Sequence, residues 1–389
     1  MHIQIFSFLY GAGAEGICTE RLCNSLSARG IRISLVTSDQ SNIENPEIFE
    51  RVEIISASPM RPQKVIRSIS SLLCGVSPEF PVWCLKASRA RVDHDVDLVY
   101  ARTRPLSSAI PAQHAALKAG RPFVLHMSDP CPSPWHDHRS TEYARELKIY
   151  QSLIDTAVAC TFTTAEAIEY QRHISPKLDD LPQIVIPHII PDTVLDSPSK
   201  KGAREFLYIG TFYGARGPRT ILEAFRMHLE EGHNSRLRIL GANPDGIVPI
   251  IEELNLTKSV CLQKRVSDVS TYLASADVLL ASDSFFRAPV FMSTKFVEYL
   301  TTRKRILLHS PSNSPSTKCI QGQDIAITPV IEDDPRSLSR AMSHECPDPT
   351  RAQIRRRQKF AARFEGQVIA KIAEEFFFGV TGQKSAAIS

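Results

Sequence analysis

The sequence contains no C-x-x-C pair, no zinc-ligand spacing and no interleaving of basic with aromatic residues. It also has no uncharged apolar run near the ~18 residues that a bilayer span needs. Nine cysteines are scattered from Cys18 to Cys346, which suits reduced thiols in a cytosolic protein rather than a disulfide framework. Without a recognition-helix pattern or a basic-aromatic stripe, nucleic acid is not an expected partner. The opening residues, MHIQIFSFLY, lack a basic stretch and a small-residue cleavage site, so a cytoplasmic protein is expected. A D-x-D at a strand end is missing too, because DHDVD (93–97) precedes a strand instead of ending one. No metal site is therefore expected.

What is present is ordinary for a soluble protein: 389 residues, 43% hydrophobic and 23% charged, with a formal net charge of +4. At ~150 residues per domain this is two to three domains, and disorder is excluded. Arg351, Arg355, Arg356, Arg357, Lys359 and Arg363 cluster late in the chain and read as a solvated helix face.

Short apolar runs recur with helical stretches between them: 3–9, 31–37, 52–56, 97–101, 122–128, 157–163 and 183–187. Between Pro187 and Arg204 the pattern dissolves into Pro, Ser, Asp and Lys, and it restarts with runs at 206–210, 237–241, 259–263, 277–282, 305–310 and 325–331. Runs buried on both faces and separated by helices mean parallel sheets. The expected fold is α/β, with two doubly wound Rossmann-like domains facing a central cleft. The expected division is an acceptor domain over 1–190, a linker over 191–204, a donor domain over 205–349, and final helices over 350–389 crossing back to the first domain. Ligands in such sheets bind beyond the strand C-termini, so function is expected in the loops there.

Three features carry chemistry. GAGAEG places Gly11, Gly13 and Gly16 between a strand and a helix, with Asp39 ending the next strand. That pattern fits a dinucleotide fingerprint with Asp39 on a ribose, and equally a glycine turn that lets backbone N–H groups approach another ligand. In YIGTFYGARGPRTILEAF, Gly210 ends a strand and a loop presents Arg216, whose guanidinium suits phosphate oxygens. In STKFVEYLTTRKRILL, Lys295 and Glu298 fall three apart on one helix face, where the cation suits a diphosphate and the carboxylate suits sugar hydroxyls. Each residue also has a plain structural reading, as a surface cation or a surface ion pair. His136 and His138 have no suitably spaced Cys or Asp partner for a metal.

The order of ILEAF, ADVLLASDS and STKFVEYLTTRKRILL resembles the donor domain of glycosyltransferase family 4. The glycine turn, LHMSDP (125–130) and IPHIIPD (186–192) fall at corresponding places. The resemblance implies the GT-B fold and a metal-independent, retaining transferase that uses a nucleoside diphosphate sugar as co-substrate and no cofactor. It implies Arg216 and Lys295 on the diphosphate, Glu298 on the ribose and His126, followed by Asp129, near the transferred sugar. The glycine turn Gly11, Gly13 and Gly16 lines the cleft, and Gly210 and Thr211 complete the donor site, while backbone groups near Arg265 and Val266, after the SVCLQ run, are the candidates for recognising the base. Two departures stand out: the first glutamate of the family's E-x7-E is Val290, and Thr211 follows the strand glycine where arginine is common.

The implied partners are a nucleotide-sugar donor and a carbohydrate or lipid-linked acceptor, as in surface-polysaccharide synthesis. The basic, apolar stretch 61–91 reads first as helices with a wet basic edge, and alternatively as a peripheral contact with the inner face of an anionic membrane. An NAD(P)-dependent oxidoreductase built on GAGAEG, or a non-catalytic nucleotide or sugar sensor, is the competing reading.

Overall fold

A computed structural model describes residues 1–58, 80–192, 202–212, 217–266, 268–286, 288–344 and 347–382. The chain divides into two compact units, Met1–Ile189 with Gly366–Ser389, and Ile190–Glu365.

In the first unit, β1 (His2–Ser7), β2 (Arg32–Ser38), β3 (Arg51–Ile55), β4 (Leu98–Arg102), β5 (Phe123–Met127), β6 (Ala159–Phe162) and β7 (Gln183–Val185) form one parallel sheet. Its order is β3-β2-β1-β4-β5-β6-β7. The second unit repeats the plan with β8 (Arg204–Ile209), β9 (Ser235–Leu240), β10 (Val260–Gln263), β11 (Val278–Ser282), β12 (Arg305–His309) and β13 (Ile327–Val330), ordered β10-β9-β8-β11-β12-β13. Both orders step outward and then reverse, between β1 and β4 and between β8 and β11. Such a reversal sends successive connections to opposite faces and opens a crevice at the strand C-termini. The central strands are buried throughout, as β4, β5, β11 and β12 show.

The helices of the first unit are α1 (Gly13–Ser27), α2 (Pro81–Ala87), α3 (Ala109–Ala119), α4 (Thr141–Thr156) and α5 (Ala165–Ile174). Those of the second are α6 (Arg219–Glu230), α7 (Val248–Glu253), α8 (Ser270–Ser275), α9 (Thr294–Tyr299), α10 (Pro315–Ile320), α11 (Pro335–His344) and α12 (Arg351–Ala361). The last helix, α13 (Gly366–Thr381), belongs to the first unit.

The C-terminal helices therefore do not form the single segment expected over 350–389. Phe360, Ala361 and Phe364 join a core with Leu279, Phe296 and Leu308 of the second unit. Ile369, Ala373 and Phe377 join Leu22, Leu26 and Tyr100 of the first. The division falls between them because α12 and α13 carry separate apolar faces.

The late basic cluster is corrected at one position. Arg351, Arg355, Arg356, Lys359 and Arg363 are exposed, but Arg357 is only 1% exposed. Its Nη2 donates to the Thr302 carbonyl at 2.7 Å, and burial, with Arg305 close by, lowers its pKa to about 10. In the basic stretch 61–91, residues 61–79 lie outside the described residues. The remainder packs on the first unit, where Trp83 is fully buried and meets Phe8 edge-on at 5.4 Å. Among the described residues, no helix is long and apolar enough to cross a membrane.

Candidate functional site

At the C-terminal edge of the first sheet, Ser7, Arg102, His126 and Thr161 stand in register across β1, β4, β5 and β6. Laterally paired residues of a parallel sheet point to one face, so these four make a polar layer. His126 is fully buried in it, its Nδ1 sharing a 2.8 Å hydrogen bond with Thr161 Oγ1. Its Nε2 has no partner among the described residues. Burial, with Arg102 and His188 nearby, holds its pKa well below the ordinary histidine value, so the ring is neutral.

Arg102 meets the Glu15 carboxylate of α1 at 2.9 Å, both side chains at least nine-tenths buried. Burial raises the Glu15 pKa even against that cation. Asp129, just past β5, pairs with Arg104 at 2.6 Å, and both are about one-third exposed. Arg104 holds φ 118° at the end of β4, a region that non-glycine residues avoid. The first crevice thus presents Asp129 to solvent and keeps His126 beneath.

The glycine turn is shaped largely by the chain itself. Gly11 has φ +64°, and a Cβ there would lie 1.9 Å from the Asn42 carbonyl oxygen. A Cβ at Gly16 would press on the Tyr10 backbone at 3.2 Å, while one at Gly13 would meet only Leu9 Cδ1 at 3.4 Å. Asn42 N–H donates to the Tyr10 carbonyl at 2.8 Å, so the loop after β2 covers the turn. Asp39 accepts from Ser56 Oγ at 2.7 Å and from Ala57 N–H at 3.0 Å. The close approach at Gly11 and the hydrogen bonds of Asp39 are both used by the fold, which weakens a dinucleotide reading of GAGAEG.

In the second unit, Gly210, with φ 149°, directly follows β8, and Gly241, with φ 89°, directly follows β9. Thr211 beyond them is exposed. The 213–216 loop, with Arg216, lies outside the described residues. Helix α9 is tied to this strand end because Ile209 N–H donates to Tyr299 Oη at 3.2 Å. The same helix carries Lys295 and Glu298. The two form an ion pair of 2.5 Å, with side chains 28% and 11% exposed. Val266 is half-buried against the core of this unit, and Val290 is buried.

Residues not singled out from the sequence complete the arrangement. A small cleft of about 180 Å³ is lined by Gly217, Arg219, Thr220, Ser282, Asp283, Phe285, His309 and Asp333. Register places Ser282 opposite His309, and Asp283 accepts from Ser310 Oγ at 2.8 Å. The signal that finds these residues is position alone, since they end a strand, as Ser282 and His309 do, or lie in the loop or helix that comes after one. His136 and His138 sit elsewhere, against Glu146 and Tyr143.

With this geometry in hand, residues 193–285 match the family model described as Glycosyl transferases group 1. No curated protein matches the chain in sequence. Among solved structures, HepE of Anabaena in complex with UDP-glucose is 12% identical, with a TM-score of 0.69 over 97% of this chain and 100% of that one. Sucrose-phosphate synthase from Thermosynechococcus elongatus is 14% identical, with a TM-score of 0.68 over 98% and 99%. WaaG, a glycosyltransferase involved in lipopolysaccharide biosynthesis, is 16% identical, with a TM-score of 0.65 over 98% and 100%. At these identities the likeness shows the fold, which is GT-B, with two Rossmann-like parallel-sheet domains.

Proposed function

We propose that the chain is a glycosyltransferase of family 4, moving a sugar from a nucleoside diphosphate sugar to a carbohydrate or lipid-linked acceptor. One observation supports the reading: residues 193–285, which match Glycosyl transferases group 1, build the β8–β11 reversal, and the helix that follows, α9, carries Lys295 and Glu298 and is bonded through Tyr299 to the end of β8. HepE binds UDP-glucose and WaaG works in lipopolysaccharide biosynthesis, which supports a nucleotide-sugar donor and a surface-glycan acceptor. In this reading the enzyme is cytoplasmic, peripheral to the membrane where its acceptor is lipid-linked, retains anomeric configuration and needs no metal.

The chemistry follows from charge. As the bond from the sugar to the diphosphate breaks, positive charge grows on the sugar ring and negative charge on the departing phosphate. Lys295, released from Glu298 when the donor enters, and Arg216 stabilise that phosphate. Glu298 then accepts from the ribose hydroxyls. The resemblance assigns Asp129 and His126 of the first domain to the transferred sugar; His126 is neutral, so its part there is a hydrogen bond rather than a proton.

A thermal-shift series with UDP, GDP, ADP, CMP, NAD and NADP tests this. One nucleoside diphosphate should raise the melting temperature, since a ligand at 100 times its Kd stabilises by about 2.7 kcal/mol. The shift should vanish in Arg216→Ala and Glu298→Ala, and Lys295→Ala should lower turnover about a hundredfold by removing a transition-state contact. A shift with NAD or NADP alone, surviving those substitutions, sinks the proposal. Binding without sugar transfer to any glycan acceptor would leave a sensor.

A further inference from the structure

The cleft lined by Gly217, Thr220, Ser282, Asp283, Phe285, His309 and Asp333 has a composition that selects its occupant. Its only guanidinium among the described lining residues, Arg219, is already taken. Nη1 and Nη2 donate to the two carboxylate oxygens of Glu253 at 2.9 and 2.8 Å, and Nη1 also reaches Glu223 at 3.3 Å. Asp333 stays about half exposed, its Oδ1 accepting from Thr220 Oγ1 at 3.0 Å. His309 lies 3.6 Å from Asp333 but is 5% exposed overall, and burial lowers its pKa. It therefore gives Asp333 no full positive charge near neutral pH. Phe285 lies against His309 with ring centroids 4.5 Å apart, adding an apolar wall.

Carboxylates and hydroxyls beside an aromatic wall suit a ligand rich in hydroxyl donors with an apolar ring face. They disfavour an anion, which would stand near Asp333 and, among the described lining residues, meet no free cation. The same charge disfavours a diphosphate there. The sugar bonded to that diphosphate is not disfavoured, and Gly217 directly follows Arg216, the residue assigned to the phosphates.

We infer that this cleft receives the transferred sugar and that Asp333 makes it select a neutral hexose over a hexuronic acid. The inference rests on the donor-site reading above. Two outcomes separate them. Calorimetry first asks whether UDP or GDP binds the full-length protein, which tests the reading alone. The pair with the matching base, UDP-glucose with UDP-glucuronate or GDP-mannose with GDP-mannuronate, then tests the selection. The uronate should bind at least tenfold more weakly than the hexose. Asp333→Asn should shrink that ratio severalfold while leaving the affinity for the bare nucleoside diphosphate unchanged. Equal affinities for hexose and uronate overturn the inference, as does an unchanged ratio in Asp333→Asn. If no nucleoside diphosphate binds, in calorimetry or in the thermal-shift series, the reading and the inference fall together. Asp333 is half exposed on a loop, so the variant should keep the wild-type melting temperature, which circular dichroism checks.

Discussion

At the scale of single residues, burial decides most of the chemistry. His228 is 2% exposed, with Nδ1 bonded to Ser343 Oγ at 2.8 Å and Nε2 to Ser235 Oγ at 2.9 Å. His233 stacks on it at 4.4 Å. Burial first, and His233 second, take its pKa from 6.5 down to about 4. Between those values the unfolded chain binds a proton that the native state refuses. This contribution to stability is therefore complete above pH 6.5 and is lost as the pH falls toward 4. The loss amounts to about 3 kcal/mol for a shift of this size. Urea unfolding across that range should show stability falling with acid, with a shallower fall in His228→Gln. An identical slope in the variant would show that other groups carry the effect.

The same scale shows what a sequence motif can conceal. Lys295 and Glu298 were legible because a spacing of three puts two side chains on one helix face. His126 was legible as a histidine at a buried strand end, but its hydrogen bond to Thr161 was not, since the partner comes from another strand, β6. Asp333 and His309 carried no local pattern at all. They meet at the ends of adjacent strands, β12 and β13, whose pairing periodicity does not register.

At the scale of elements, the strands and most long helices followed from apolar runs and their punctuation. Helices α5 and α11 both carry start signals. Thr164 Oγ1 accepts from Ala167 N–H at 3.1 Å, and Asp334 accepts from Ser337 N–H at 2.9 Å just before Pro335. A capping side chain followed by proline at the first helical position is readable in the sequence. Helix α13 shows what packing adds. Phe377 is fully buried and meets Tyr100 edge-on at 5.0 Å, while Glu374 pairs with Arg29 at 2.5 Å. Phe377→Ala should cost about 3–5 kcal/mol in urea unfolding. A loss under 1 kcal/mol would mean that α13 does not complete the first core.

At the scale of the whole molecule, the two units differ in how the chain builds them. The second runs continuously from Ile190 to Glu365, with core on both faces of its sheet. The first needs Gly366–Thr381 to cover Leu22, Leu26 and Tyr100. A fragment spanning 190–365 should melt cooperatively alone, whereas 1–189 should not until 366–382 is supplied. Cooperative melting of 1–189 at an unchanged temperature would remove α13 from that core.

The sequence by itself determined two parallel α/β sheets and the place of function at their strand C-termini, because both follow from local periodicity and punctuation. It also nominated the Lys295–Glu298 pair, whose partners are neighbours on one helix. Only the tertiary structure decided that Gly11 makes room for Asn42, that Arg357 is buried and that α12 and α13 serve different units. It alone gathered Asp283, Phe285, His309 and Asp333 around one cleft. Each of these depends on residues brought together from separate strands and loops, and such meetings are set by packing rather than by spacing along the chain.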